Sequence, residues 1–242
     1  MLRIILFFIS LLLSFATAFH QSLSGQCSTK DCQPVREKTK MLKILSLGDS
    51  YTVGQGVERS ESWPMQLALR LQDRNLPVGT PLIIAATSWT TSDLMEVIAR
   101  SDIGKEYDIV TLLIGVNDQF QGYSEYMYAY GFDKLLTGAI AFAGGRPWRV
   151  IVVSIPDYSV TKFGKRYGSN STGAEINRFN QINKKISMEK GVNYVDITEV
   201  SRRAAQDSSL VASDGLHPSA GMYAEWVESI IPVVLRALQT EK

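Results

Sequence analysis

The segment Ile44-Leu45-Ser46-Leu47-Gly48-Asp49-Ser50-Tyr51-Thr52 decides how the rest of the chain is read. An apolar run ends abruptly in a small, polar turn led by glycine. The run, about residues 43–47, reads as a buried strand. The turn puts Ser50 just past its C-terminal end, where open α/β sheets place reactive groups. A serine hydroxyl is a weak nucleophile until a base comes within hydrogen-bond reach. The chain has 2 histidines. His20 follows the N-terminal apolar segment in a polar stretch. His217, in Asp214-Gly215-Leu216-His217-Pro218, is therefore the candidate base, with a carboxylate close upstream.

Outward from this strand the pattern alternates. Apolar runs at 81–86, 107–114, 149–155 and 192–197 read as strands two to five. After Asp108 only Thr111 interrupts the third, as a strand covered on both faces allows. Helices are expected from Pro64, from the Ser/Thr-capped turn at Thr90, over 123–142, over 174–190 and from Ser219. Pro232 should kink or split the last of these. Residues 164–173 read as a polar loop. Apolar runs alternating with helices imply an α/β domain with a parallel sheet and right-handed crossovers. The pattern does not itself give the strand order. The expectation is a three-layer, flavodoxin-like sandwich with a five-stranded parallel sheet in order 2-1-3-4-5 and helices on both faces. That order brings the ends of strands two, one and three together.

The 242 residues, 45% hydrophobic and 20% charged, suit one globular domain whose core needs no disulfide or metal. Residues 1–18 combine Arg3, an apolar stretch and a small-x-small site at Ala16-Thr17-Ala18, the pattern of a cleaved secretory signal peptide. The apolar run is well short of the ~20 residues of a membrane span, so an uncleaved anchor is the weaker reading. Residues 19–41 read as a flexible linker and 42–242 as the folded domain, which implies a secreted or periplasmic protein. Cys27 and Cys32 fall in the linker, where a disulfide would barely affect the core. Ser24-Gly25-Gln26-Cys27 is a poor lipobox because Gln26 is bulky, and the cysteine pair alone is a poor zinc site. The formal net charge of +1 gives no reason to expect nucleic acid or an anionic membrane as a partner. No cofactor and no metal is expected.

Further segments carry groups that chemistry could use. Asn117, in Gly115-Val116-Asn117-Asp118 after strand three, could donate its amide to a developing oxyanion. A backbone N–H in Thr87-Ser88-Trp89-Thr90, after strand two, could be another donor. Asp49 reads as a turn anchor rather than the acid partner of His217. No G-x-S-x-G elbow of the α/β-hydrolase type surrounds Ser50.

Taken in order, Gly48-Asp49-Ser50, Thr87-Ser88-Trp89-Thr90, Gly115-Val116-Asn117-Asp118 and Asp214-Gly215-Leu216-His217 resemble the four blocks of the SGNH, or GDSL-type, hydrolase superfamily. The resemblance runs from Lys43 to the C-terminal helix. It implies an esterase with Ser50 as nucleophile, Asp214 and His217 completing a triad, and an oxyanion hole of the Ser50 N–H, the Asn117 amide and a second-block N–H. Two departures stand out. Tyr51 replaces the leucine of the family name, and Ser88 stands where the second block has glycine. A backbone donor survives Gly→Ser, but a position needing φ > 0 would be strained. Ser88 and Trp89 both remain candidates for the second donor.

The expected function is hydrolysis of carboxylic esters through an acyl-serine. The alternatives are an acyltransferase or lysophospholipase on the same fold, or a non-catalytic surface binding protein. Tyr51, Trp89, Phe120, Tyr123 and Tyr158 follow strand ends and are candidates for a substrate pocket. The sequence does not choose among short acyl esters, acetylated glycans and lysophospholipids, and does not give an oligomeric state.

Overall fold

The computed structural model describes residues 40–240. The expected leader, the linker as far as residue 39, and Cys27 and Cys32 lie outside the described residues. Five strands form the sheet: β1 (Ile44–Gly48), β2 (Leu82–Ala85), β3 (Ile109–Leu113), β4 (Val150–Val153) and β5 (Asn193–Val195). Their order is β2-β1-β3-β4-β5 and every pairing is parallel. In the register, Leu45 faces Leu82 on one side and Val110 on the other. Every residue of β1, β3 and β4 is buried, which is why these strands read as continuous apolar runs. β2, at the edge, is half exposed.

The helices are α1 (Ser50–Val53), α2 (Trp63–Gln72), α3 (Thr91–Arg100), α4 (Val116–Phe120), α5 (Glu125–Phe142), α6 (Lys162–Tyr167), α7 (Thr172–Glu189), α8 (Thr198–Arg202) and α9 (Ala220–Gln239). Proline in its first turn suits α2, which buries Trp63, Leu67 and Leu71 at four-residue spacing. That stripe packs on α9, which buries Tyr223, Trp226, Val227 and Ile230. On the other face α3 packs on α5, and α5 on α7. The two groups follow from right-handed crossovers: β1 to β2 steps one way along the sheet, and every later step goes the other way. Cutting a fully buried side chain such as Leu47 to alanine should cost about 2–5 kcal/mol.

Three local expectations need correction. The expected loop 164–173 holds the end of α6 and the first two residues of α7. Thr161 caps α6 by accepting the Gly164 N–H at 3.0 Å. A Cβ on Gly164 would lie 2.0 Å from the Tyr158 carbonyl oxygen, so α6 packs directly on the preceding turn. A single surface turn is too short to show a helical period, and its polar composition masked it. Second, of the two outcomes expected at Pro232, splitting does not occur: α9 runs through it as one helix. The N–H that Pro232 lacks would have gone to Glu228, and both residues are exposed, so water can satisfy that carbonyl. Third, β3, β4 and β5 are each shorter than the expected runs at 107–114, 149–155 and 192–197.

Candidate active site

Ser50 opens α1 directly beyond β1. The approach requires Gly48: a Cβ there would lie 2.2 Å from Thr52 Oγ1 and 2.4 Å from the Leu113 carbonyl oxygen. Asp49 caps the helix, its Oδ1 accepting the Tyr51 N–H at 3.0 Å. Asp49 is 0% exposed and its Oδ2 has no hydrogen-bond partner. Burial pushes its carboxyl up to about 8, which favours its neutral form. As the first residue of a helix, Ser50 has a backbone N–H with no intrahelical acceptor.

The segment 214–217 brings an acid and a base to this hydroxyl. His217 Nε2 lies 3.0 Å from Ser50 Oγ, and His217 Nδ1 lies 2.6 Å from Asp214 Oδ2. Asp214 Oδ1 accepts the Leu216 N–H at 2.9 Å and the His217 N–H at 3.0 Å. Partial burial alone would raise the Asp214 carboxyl. The bonds from the His217 ring and these two amides outweigh it and hold the carboxyl below its ordinary value. An ionised carboxylate only accepts, so Nδ1 carries the imidazole proton and the Nε2 lone pair faces the serine hydroxyl. The loop is held from outside as well. The Ala212 N–H donates to the His217 carbonyl at 2.7 Å and the Phe163 N–H to the Gly215 carbonyl at 3.0 Å. Tyr51, buried at the back, sets its ring 5.2 Å from the imidazole and 6.3 Å from Trp226.

The ends of β2 and β3 are tied together beside Ser50. Asn117 Nδ2 donates to the Trp89 carbonyl at 2.9 Å, leaving its second N–H to serve the cavity. Asp118 Oδ2 accepts the Thr91 N–H at 3.0 Å. Ser88 has φ +66°, the left-handed conformation that its side chain disfavours. The Trp89 N–H already donates to the Ala86 carbonyl at 3.4 Å, which leaves Ser88 better placed as a donor.

These groups open on a cavity of about 310 Å³. Ser50, Ser88, Asn117 and His217 line it, and of the expected pocket residues so do Tyr51, Phe120 and Tyr158. Trp89 and Tyr123 do not. The Trp89 indole instead packs against the hydrophobic core. Sequence reading missed Phe163, Val116 and Leu216, which extend the apolar wall, and Gln55, Thr87 and Gln121 on the polar side. Thr87 Oγ1 donates to Gln55 Oε1 at 2.7 Å. Val116 and Leu216 lay inside the motif blocks and were legible; Phe163 lay beside the segment taken as loop. Tyr158 is fixed in the wall by its hydroxyl, which donates to Gln119 Oε1 at 2.9 Å, and Gln119 in turn donates to Glu175 Oε2 at 2.7 Å. Among the described residues, no group of three or more His, Cys, Asp or Glu side chains could hold a metal ion.

A family model described as GDSL-like Lipase/Acylhydrolase matches residues 46–225. No curated protein matches the chain. Solved structures do. A lipase/acylhydrolase from Enterococcus faecalis is 19% identical with a TM-score of 0.65, the match covering 84% of this chain and 100% of that one. The lipase Lip_vut3 from a goat rumen metagenome is 19% identical with a TM-score of 0.65, covering 80% of this chain and 97% of that one. Axe2, an acetylxylan esterase from Geobacillus stearothermophilus, is 18% identical with a TM-score of 0.60, covering 84% and 97%. At these identities the likeness is one of fold.

Proposed function

The chain belongs to the GDSL-like lipase/acylhydrolase family, and from that premise we propose that it is an exported serine esterase acting through an acyl-serine. Ser50 Oγ attacks the ester carbonyl carbon as His217 Nε2 takes the hydroxyl proton. Asp214 keeps the imidazole in the required tautomer and stabilises the imidazolium. The oxyanion is held by the Ser50 and Ser88 N–H groups and the Asn117 amide. Collapse of the tetrahedral intermediate breaks the bond to the alcohol, which leaves with the proton from His217. Water then repeats the sequence on the acyl-serine: His217 takes a proton from water, the acid is released and Ser50 regains its proton. The acyl group packs against the apolar wall of Val116, Phe120, Tyr158, Phe163 and Leu216. The composition of residues 1–18 supports export.

The observation that carries this proposal is the continuous chain of contacts from Asp214 through His217 to Ser50, facing a cavity. The test is labelling with a serine-reactive fluorophosphonate, followed by turnover of an ester panel varied in acyl length and alcohol. Wild type should label at Ser50 and turn over at least one ester. Ser50→Ala should do neither while keeping its circular dichroism. An unlabelled, inactive wild type would favour a binding protein instead.

A further inference from the structure

We propose that α6 is a docking element for an anionic phospholipid surface, beside the mouth of the catalytic cavity. Its six residues, Lys162-Phe163-Gly164-Lys165-Arg166-Tyr167, divide by helical position. Lys162, Lys165 and Arg166 fall on one face and are exposed. None of them forms an ion pair among the described residues. No acidic residue occurs between Asp157 and Glu175. Asp157 is itself paired with Arg202 at 2.9 Å. Gly164 is buried against the preceding turn and pins the helix in place.

The adjoining face is aromatic. Phe163 and Tyr167 rings lie 4.8 Å apart, and Phe163 lies 5.8 Å from Phe120. Phe163 and Phe120 line the catalytic cavity. Phe120 is 49% exposed and Tyr167 56%. An aromatic strip thus runs from the cavity wall to open surface, next to three cations. Lys162 and Lys165 also line a separate groove of about 400 Å³, whose lining includes Thr161, Gln206, Ser208 and Ser213 and no acidic side chain. A groove offering cations and hydroxyl or amide donors matches a phosphate headgroup, and half-exposed rings beside it match the boundary between headgroups and acyl chains. The rings of an acidic polysaccharide can also stack on exposed aromatics such as Phe120 and Tyr167, so soluble polygalacturonate is the competing ligand in the test.

The test is sedimentation of the full chain with phosphatidylglycerol or phosphatidylcholine vesicles at low salt. Wild type should prefer phosphatidylglycerol, and the preference should fade as salt rises. Lys165→Glu with Arg166→Glu should reduce binding to phosphatidylglycerol roughly 30-fold or more, at about one kcal/mol per cation. An apolar N-terminal segment, if retained, would be common to both chains and cancels in that comparison. The double variant should keep fluorophosphonate labelling and turnover of a soluble ester, which separates this inference from the esterase proposal. Equal binding to both lipids, an unchanged preference in the double variant, or equally tight capture by soluble polygalacturonate would overturn it.

Discussion

Asp214→Asn keeps the shape of the side chain and removes one acceptor. The native carboxylate accepts on both oxygens, from the His217 ring on Oδ2 and from two backbone amides on Oδ1. An asparagine that keeps the backbone bonds must point its NH₂ at His217 Nδ1. Two donors then face each other unless the imidazole moves its proton to Nε2. In that tautomer Nε2 donates to Ser50 instead of accepting from it, and the base is lost. Little room exists for the loop to move away: a Cβ on Gly56 would already lie 3.1 Å from Asp214 Oδ2 and 2.8 Å from Ala212 Cβ. In a comparable triad the same change lowers kcat about 10⁴-fold, near 5 kcal/mol of transition-state stabilisation. Here kcat on a soluble ester should fall about 10³–10⁴-fold, with a thermal midpoint within a few degrees of wild type because the backbone bonds survive. If the amide instead turned its NH₂ toward the backbone, the midpoint would drop and activity would be retained. A variant keeping more than about a tenth of wild-type kcat would refute the tautomer argument.

Asn117→Ala should lower kcat roughly 10²–10³-fold with little change in KM, by analogy with a lost oxyanion donor; steady-state kinetics showing an unchanged kcat would remove Asn117 from the hole. Asp49 has its carboxyl raised from 3.8 to about 8. Between about pH 4 and 8 the folded state therefore holds a proton that the unfolded chain has lost, and stability falls as pH rises. Asp49→Asn still caps α1 and should remove about 3 kcal/mol of that decline between pH 5 and 7; denaturant unfolding with parallel pH dependence in both proteins would contradict this. Ser88→Gly relieves a left-handed serine at some entropic cost, so it should stabilise by about 0.5–1 kcal/mol and preserve activity. A lower melting temperature would show that the Ser88 side chain contributes more than its backbone strain costs.

Patterns local to the chain determined much of this architecture. Five apolar runs are strands because each must bury both of its faces, or one at the edge, and that requirement is written residue by residue. The Gly48-Asp49 turn was legible too, because Asp49 caps the next helix within two residues, although the Leu113 carbonyl that helps exclude a Cβ at Gly48 comes from another strand. The family blocks carried the rest of the candidate site, because each sits at a strand end or a loop before a helix. The tertiary structure alone decided what depends on segments meeting. Ser50 and His217 are 167 positions apart, and no local period encodes the 3.0 Å between their side chains. It engaged the Trp89 N–H with the Ala86 carbonyl, packed the half-buried Trp89 indole against the core, and brought Phe163 to the cavity on a helix hidden in a polar stretch. Periodicity records which face of an element is buried; a cavity exists only where several elements leave the same volume empty.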